Sequence, residues 1–225
     1  MLPIPEGMSL VEGILSLYRE GYFPMAGMGD DPLEVDWVQP QMRCLIPLDE
    51  RFHVSRTLGA KVRQNRFEIT IDRNFAAVIR SCAQPRDGDG NWLSNDIVEA
   101  YIELHNAGHA HSVEAWLPCP ADVPPDAIVV DHKMLVGGLY GVAIGAIFCG
   151  ESMFSRPQWG GTDASKVCLI HLVGHLRQCG FKVLDSQIAN AHTAQFGAFE
   201  ISAKEYMKVL AQLRDKNRVW DQNAR

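Results

Sequence analysis

The sequence predicts an α+β fold built around a mixed, largely antiparallel sheet, and three observations predict it. Strand patterns follow one another closely between residues 109 and 153, with Gly or Pro at the turns, which favours an antiparallel meander. Helical patterns precede that block, so helices and strands are grouped and do not strictly alternate. An amphipathic helix over 164–178 then leads into one more short strand at 182–185.

The elements justify themselves in order. Ser9-Leu10-Val11-Glu12 reads as a capping box, and Leu10, Ile14, Leu17 and Tyr18 recur at helical spacing until Gly21 stops the helix. Tyr22-Phe23-Pro24-Met25, an acidic Gly-rich loop, Trp37, Pro40 and the apolar run Cys44-Leu45-Ile46 suggest strands of a small N-terminal lobe. A basic helix over 54–65 precedes the strand 67–71, where apolar and polar residues alternate with period two. Asn74 caps a helix over 75–82, and Ser94 or Asn95 caps another that runs to Asn106 and closes at Gly108. Strands are expected at 109–117, 126–132, 135–143 and 146–153, with the proline-rich segment 118–125 as a surface excursion. Thr162 or Asp163 caps the helix 164–178, and Ser202-Ala203-Lys204-Glu205 starts the last one, from Tyr206 to about Arg214. Residues 1–66 are thus expected to form a small N-terminal lobe with the basic helix, and residues 67–225 the main domain.

Composition narrows the function. A chain of 225 residues that is 47% hydrophobic buries a substantial core and is not generally disordered. Its start, Met1-Leu2-Pro3-Ile4-Pro5-Glu6-Gly7, lacks the charged and apolar regions of an export signal, and no run of about 18 apolar residues occurs. The expectation is a cytoplasmic protein with no membrane partner. Six scattered cysteines without a Cys-x-x-Cys pair read as reduced thiols. A net charge of −6 argues against a general nucleic-acid coat protein. A local basic patch is still present: Arg51, Arg56, Lys61, Arg63, Arg66 and Arg73 face only Glu68 and Asp72. By charge alone it is either a solvated helix face or a docking surface.

Several motifs carry chemistry. Gly137-Gly138-Leu139-Tyr140-Gly141 fits neither phosphate-loop template, so its glycines mark a bulge or a close approach of backbone or ligand. Glu151 stands in an otherwise apolar strand end and must meet a cation, backbone donors or a ligand. Asp185 and Gln187, two apart at a strand end, share one face and make a single polar point. Asp185 either accepts a proton directly or orients Gln187, whose amide can accept from an amine and donate to an oxyanion. His109 and His111 with His105 leave a zinc site short of ligands. Nothing in the sequence calls for a cofactor.

Taken together, Gly21-Tyr22-Phe23-Pro24, Asn91-Trp92-Leu93, Gly108-His109-Ala110-His111-Ser112-Val113-Glu114, the glycine-rich strand 135–143, Gly150-Glu151-Ser152-Met153-Phe154-Ser155 and Leu184-Asp185-Ser186-Gln187 resemble the leucyl/phenylalanyl-tRNA-protein transferase family. The resemblance runs in order from about Tyr18 to Tyr206. It implies an enzyme that takes Leu, Phe or sometimes Met from aminoacyl-tRNA and joins it to the N-terminal Arg or Lys of a protein, marking that protein for degradation by the N-end rule pathway. It implies no cofactor. It also implies a small N-terminal lobe and a C-terminal domain similar to the GNAT acyl-CoA N-acyltransferases and the Fem transferases. A monomer is the default expectation.

By the same resemblance, the catalytic pair falls on Asp185 and Gln187. The aminoacyl-adenosine end falls on Trp92, Tyr101, Phe148 and Glu151 with Tyr18 nearby, and Leu139 lies where the side-chain pocket is built. Arg51, Arg56, Lys61, Arg63 and Arg66 gain value as a dock for the tRNA acceptor stem. The chain departs from the family pattern at Met25 and Val38, in two insertions around 118–131 and 158–162, and in lacking an upstream portion that many relatives have. Two rivals remain: a transferase using another acyl donor such as acyl-CoA, and a non-catalytic tRNA- or degron-binding protein.

Overall fold

The computed structural model of the chain describes residues 2–26, 35–84 and 93–221. Helix α1 (Leu10–Arg19) begins at Ser9, whose hydroxyl accepts from the Glu12 N–H while the Glu12 carboxylate takes the Ser9 N–H, so the expected capping box forms. Strands β1 (Phe23–Ala26) and β2 (Val35–Val38) pair antiparallel, and β3 (Met42–Ile46) follows. Next come the basic helix α2 (Arg56–Arg63), strand β4 (Glu68–Ile71), and helices α3 (Phe75–Cys82) and α4 (Asn95–Asn106), capped by Ser55, Asn74 and Ser94 respectively. The chain continues through β5 (Ala110–Pro118), β6 (Val129–Val130), β7 (Lys133–Ile144), β8 (Ile147–Ser155), α5 (Ala164–Gln178), β9 (Val183–Gln187), α6 (Ala191–Ala194), β10 (Phe199–Ser202) and α7 (Ala203–Leu213). Among the described residues no helix is long and apolar enough to cross a membrane.

Eight of the described strands make one sheet in the order β10-β3-β9-β8-β7-β5-β4, with β6 attached to β7. Neighbours are antiparallel except β8 and β9, which run parallel. The run Cys44-Leu45-Ile46, expected among the strands of the N-terminal lobe, lies inside this sheet between β10 and β9. All three residues are at most 5% exposed, as a strand covered on both faces requires. The strand expected over 126–132 shrinks to Val129–Val130, next to a segment whose prolines cannot donate to a ladder. Asp163 does stand at the start of α5, but its side chain makes no capping bond; its carboxylate is ion-paired with Lys61 and Lys166.

The sheet carries a hydrophobic core on each face. One side packs against α1, α3, α4 and α7 through Tyr101, Trp116, Tyr140 and Ile147; the other packs against α2 and α5 through Val113, Val136, Leu139 and Phe148. Gly141 sits at a bulge in the β7–β8 pairing, where a Cβ would lie 2.2 Å from the Cys149 carbonyl and 2.4 Å from the Phe148 ring. Only glycine allows the two strands to come this close. That approach sets the path of β8 as it leaves its neighbour β9.

Candidate active site

β8 and β9 pair at three positions only, ending with Cys149 opposite Asp185. Beyond them β8 stays with β7 as far as Ser155, and β9 stays with β3 through Gln187. The strands therefore part, and a cavity of about 1000 Å³ opens in the fork. Leu139, Glu151, Met153, Leu172, Ser186 and Gln187 line it, with Phe23, Pro24 and Met25 from β1 and with Thr193 of α6 and its N-cap Asn190.

Asp185 is fully buried. Its Oδ1 accepts from Arg43 Nε at 3.0 Å and from the Gln187 backbone N–H at 2.8 Å. Its Oδ2 accepts from Arg43 Nε at 2.9 Å, Arg43 Nη2 at 2.7 Å, the Tyr206 hydroxyl at 2.6 Å and, more weakly, the Cys149 thiol at 3.9 Å. Burial by itself would depress Arg43, but the Asp185 charge, its hydrogen bonds with Arg43 and the neighbouring Tyr206 and Cys149 together outweigh it and hold the guanidinium above its ordinary value. Burial and the Asp185 charge both push the Tyr206 phenol up, and burial first, then Asp185, raises the Cys149 thiol. Tyr206 and Cys149 thus remain neutral donors to the Asp185 side chain.

Gln187 holds the left-handed conformation, φ 61°, a backbone state that costs about 1 kcal/mol or more for a residue with a side chain. The bond from its N–H to Asp185 secures that conformation, and its side chain reaches across the fork: Nε2 donates to Glu151 Oε1 at 2.8 Å. Glu151 keeps some open surface on the cavity side and is otherwise surrounded by protein. Burial lifts its carboxyl to about 8, the nearby Asp185 charge adds to the lift, and hydrogen bonds from Tyr18 and Gln187 together with the Arg43 charge oppose it. The Tyr18 and Tyr101 hydroxyls are hydrogen-bonded to each other next to Glu151, and burial, reinforced by the Glu151 charge, raises both phenols.

The structure brings Glu151, Gln187 and Leu139 to the cavity wall, with Asp185 sealed at its edge. Tyr18 and Tyr101 are at most 1% exposed and stand behind Glu151. Phe148 is fully buried on the α5 side of the sheet, where it packs on Phe181 and Trp220 and does not line the cavity. Trp92 lies outside the described residues. The basic residues divide into two groups. Arg51 is paired with Asp49, and Lys61 with Asp163. Among the described residues no ion pair involves Arg56, Arg63 or Arg66. Asp72, His105 and His111 bring potential metal-ligand atoms within 4.8 Å of one another. Those atoms already bond within the protein, His111 Nδ1 with Asp72 at 2.8 Å and His105 Nδ1 with the Ala110 carbonyl at 2.8 Å. Sequence reasoning gave Arg43 no role of its own. It stands, with Trp37 and Pro40, only among the residues that carry the family resemblance.

A mixed, largely antiparallel sheet that forks around a polar-floored cavity, with helices on both faces, belongs to the GNAT-like fold class. The crystal structure of FemX has the same fold, with a TM-score of 0.53 at 13% identity over 83% of this chain; the chain spans 65% of the length of FemX. Residues 45–211 match the family model described as leucyl/phenylalanyl-tRNA protein transferase. The chain is also 46% identical over 201 residues to the leucyl/phenylalanyl-tRNA–protein transferase of Novosphingobium aromaticivorans, covering 89% of this chain and 69% of that one. The chain belongs to the leucyl/phenylalanyl-tRNA protein transferase family and is an aminoacyltransferase.

Proposed function

We propose that this chain takes Leu, Phe or Met from aminoacyl-tRNA and joins it to the N-terminal Arg or Lys of a protein, within the N-end rule pathway and as a monomer. The observation that carries the reading is the bridge from Gln187 to Glu151 across the forked strands, at the floor of an otherwise largely apolar cavity. An aminoacyl ester is already activated, so the enzyme must mainly align the incoming amine, receive its proton and stabilise the oxyanion.

In this reading the leucyl or phenylalanyl side chain lies against Leu139, and Glu151, backed by Tyr18 and Tyr101, holds the polar end of the aminoacyl-adenosine. With Nε2 committed to Glu151, the Gln187 carboxamide turns Oε1 to the attacking α-amine, and its second N–H serves the oxyanion. The amine nitrogen forms a bond to the ester carbonyl carbon. The carbon–oxygen bond to the terminal ribose breaks, and the proton lost by the amine ends on that ribose oxygen. Arg56, Arg63 and Arg66, exposed along and just after α2, supply phosphate contacts that position the acceptor stem without reading sequence.

Radiolabelled Leu-tRNA or Phe-tRNA is incubated with peptides that begin with Arg, Lys or Ala. Label is expected on the first two and not on the third. Label on none of them, beside clear aminoacyl-tRNA binding, would favour a binding protein; transfer from acyl-CoA in place of aminoacyl-tRNA would favour another acyl donor.

A further inference from the structure

We propose that Arg43 is a positioning residue for the transfer reaction: its grip on both oxygens of Asp185 holds Gln187 toward the cavity and withdraws Asp185 from proton transfer. The inference rests on the reading above, in which the Gln187 carboxamide meets the attacking amine.

The first argument is the filling of Asp185. A carboxylate offers about four lone-pair sites, and Arg43 Nε and Nη2, the Tyr206 hydroxyl and the Gln187 N–H occupy them at 2.6–3.0 Å. The side chain is 0% exposed. No acceptor site is left for an amine, so Asp185 acts through the chain segment that it holds.

The second argument is the reach of Arg43. It is 1% exposed and lies between two rings, with its guanidinium carbon 4.8 Å from the centre of Phe23 and 4.4 Å from that of Tyr206. Its Nη1 donates to the Gly21 carbonyl at 3.0 Å. One side chain therefore fastens the approach to β1, the middle of β9 and the first turns of α7, and β1 and β9 both line the cavity. A buried ion pair is often no more stabilising than well-packed apolar side chains of the same volume, so stability alone does not account for this arrangement. Geometry does: the planar fork fixes the carboxylate, and the carboxylate fixes the left-handed backbone of Gln187.

The test is steady-state transfer from Leu-tRNA to an Arg-initiated peptide across pH, together with thermal melting, for Arg43→Lys, Arg43→Gln, Asp185→Asn and the Arg43→Gln/Asp185→Asn double variant. Arg43→Lys keeps the charge and loses the fork; kcat is expected to fall about 100-fold with KM for Leu-tRNA within about twofold. Arg43→Gln leaves Asp185 facing Tyr206, Cys149 and Glu151 without its cation, so a new acid limb is expected in the kcat/KM profile, absent in the double variant. The double variant is expected to be no slower than the singles, because all three break one unit.

Arg43 variants that melt early but keep the wild-type kcat per folded molecule would overturn the proposal. So would Asp185→Asn alone removing a limb of the wild-type pH profile, since Asp185 would then be the proton acceptor. Where the Arg43 variants do not fold, Tyr206→Phe removes a single donor to Asp185. Its kcat is expected to fall several-fold at unchanged KM, and wild-type kinetics there would count equally against the proposal. Gln187→Ala separates the two levels: full activity in it defeats the site reading itself, whereas an inactive Gln187→Ala beside active Arg43 variants defeats only the role of Arg43.

Discussion

Gln187 and Glu151 are joined by a 2.8 Å hydrogen bond at a place where the strands that carry them no longer pair. The bond spans the fork at the cavity floor and commits one N–H of the carboxamide, leaving its other N–H and its oxygen.

Gln187→Glu puts a second carboxyl against Glu151. Two such groups at hydrogen-bonding distance share one proton, so neither a free amide N–H nor a neutral acceptor is left. Transfer is expected to fall about 100-fold or more while binding of the aminoacyl-tRNA changes little, as measured by single-turnover label transfer and filter binding. Near wild-type turnover would show that the amide has no part in the chemistry.

Glu151 makes folding depend on pH. In the folded protein burial lifts its carboxyl from the ordinary 4.5 to about 8. Between those values the folded state keeps a proton that the unfolded chain has released, so rising pH works against folding. Burial lowers His109, His171 and His175, which act in the opposite sense through the lower part of the same range. The difference between wild type and Glu151→Gln isolates the carboxyl. In urea titrations the variant is expected to gain on wild type from about pH 5 to pH 8, by an amount on the order of a few kcal/mol. A pH-independent difference would mean that Glu151 is ionised throughout.

Leu139 forms part of the cavity wall at 3% exposure. Leu139→Ala widens the wall and should favour the larger phenylalanyl group. The ratio of kcat/KM for Phe-tRNA to that for Leu-tRNA is expected to rise by about tenfold. Both substrates meet the same folded fraction, so the ratio is insensitive to lost stability. An unchanged ratio would place the side-chain pocket elsewhere.

Substitution of Arg56, Arg63 and Arg66 by Gln is expected to raise KM for aminoacyl-tRNA and flatten its salt dependence by about 0.7–0.9 in log–log slope per lost phosphate contact, leaving kcat unchanged. Arg51→Gln and Lys61→Gln should have weaker effects, because those cations are already paired with Asp49 and Asp163. Identical salt slopes for wild type and the triple variant would remove α2 from the tRNA path.

Much of the fold is written in short-range signals. Ser9 with Glu12, Asn74, Ser94, and Ser202 with Glu205 each start the helix they announce, because a cap is a bond within three residues. The alternation in 67–71 and the glycines of 135–143 likewise report local backbone needs. The fork is another matter. Its strand β9 and the neighbouring β3 are five residues long, pair at three positions and lie far apart in sequence, and β10, whose alternation covers only four residues, pairs with β3 alone among the described strands. Asp185, Gln187 and Glu151 were legible as polar groups in apolar strand ends. The division of labour between them was not. The two-residue spacing placed Asp185 and Gln187 on one open face, yet the left-handed φ of Gln187 turns it to the cavity while Asp185 is sealed against Arg43, a partner 142 residues away.

That separation ties the fork to the order of assembly. β3 belongs to the first quarter of the chain, and both strands that flank it come from the last. Contacts so distant in sequence close late, after the loop entropy between them has been overcome. The meander of β5, β7 and β8 with α5 is contiguous and is expected to form as an early nucleus, while Arg43 waits for residues 185 and 206. During synthesis the forked cavity is therefore completed only when the far end of the sheet has left the ribosome, so a growing chain lacks the Gln187–Glu151 bridge until its fold is nearly whole.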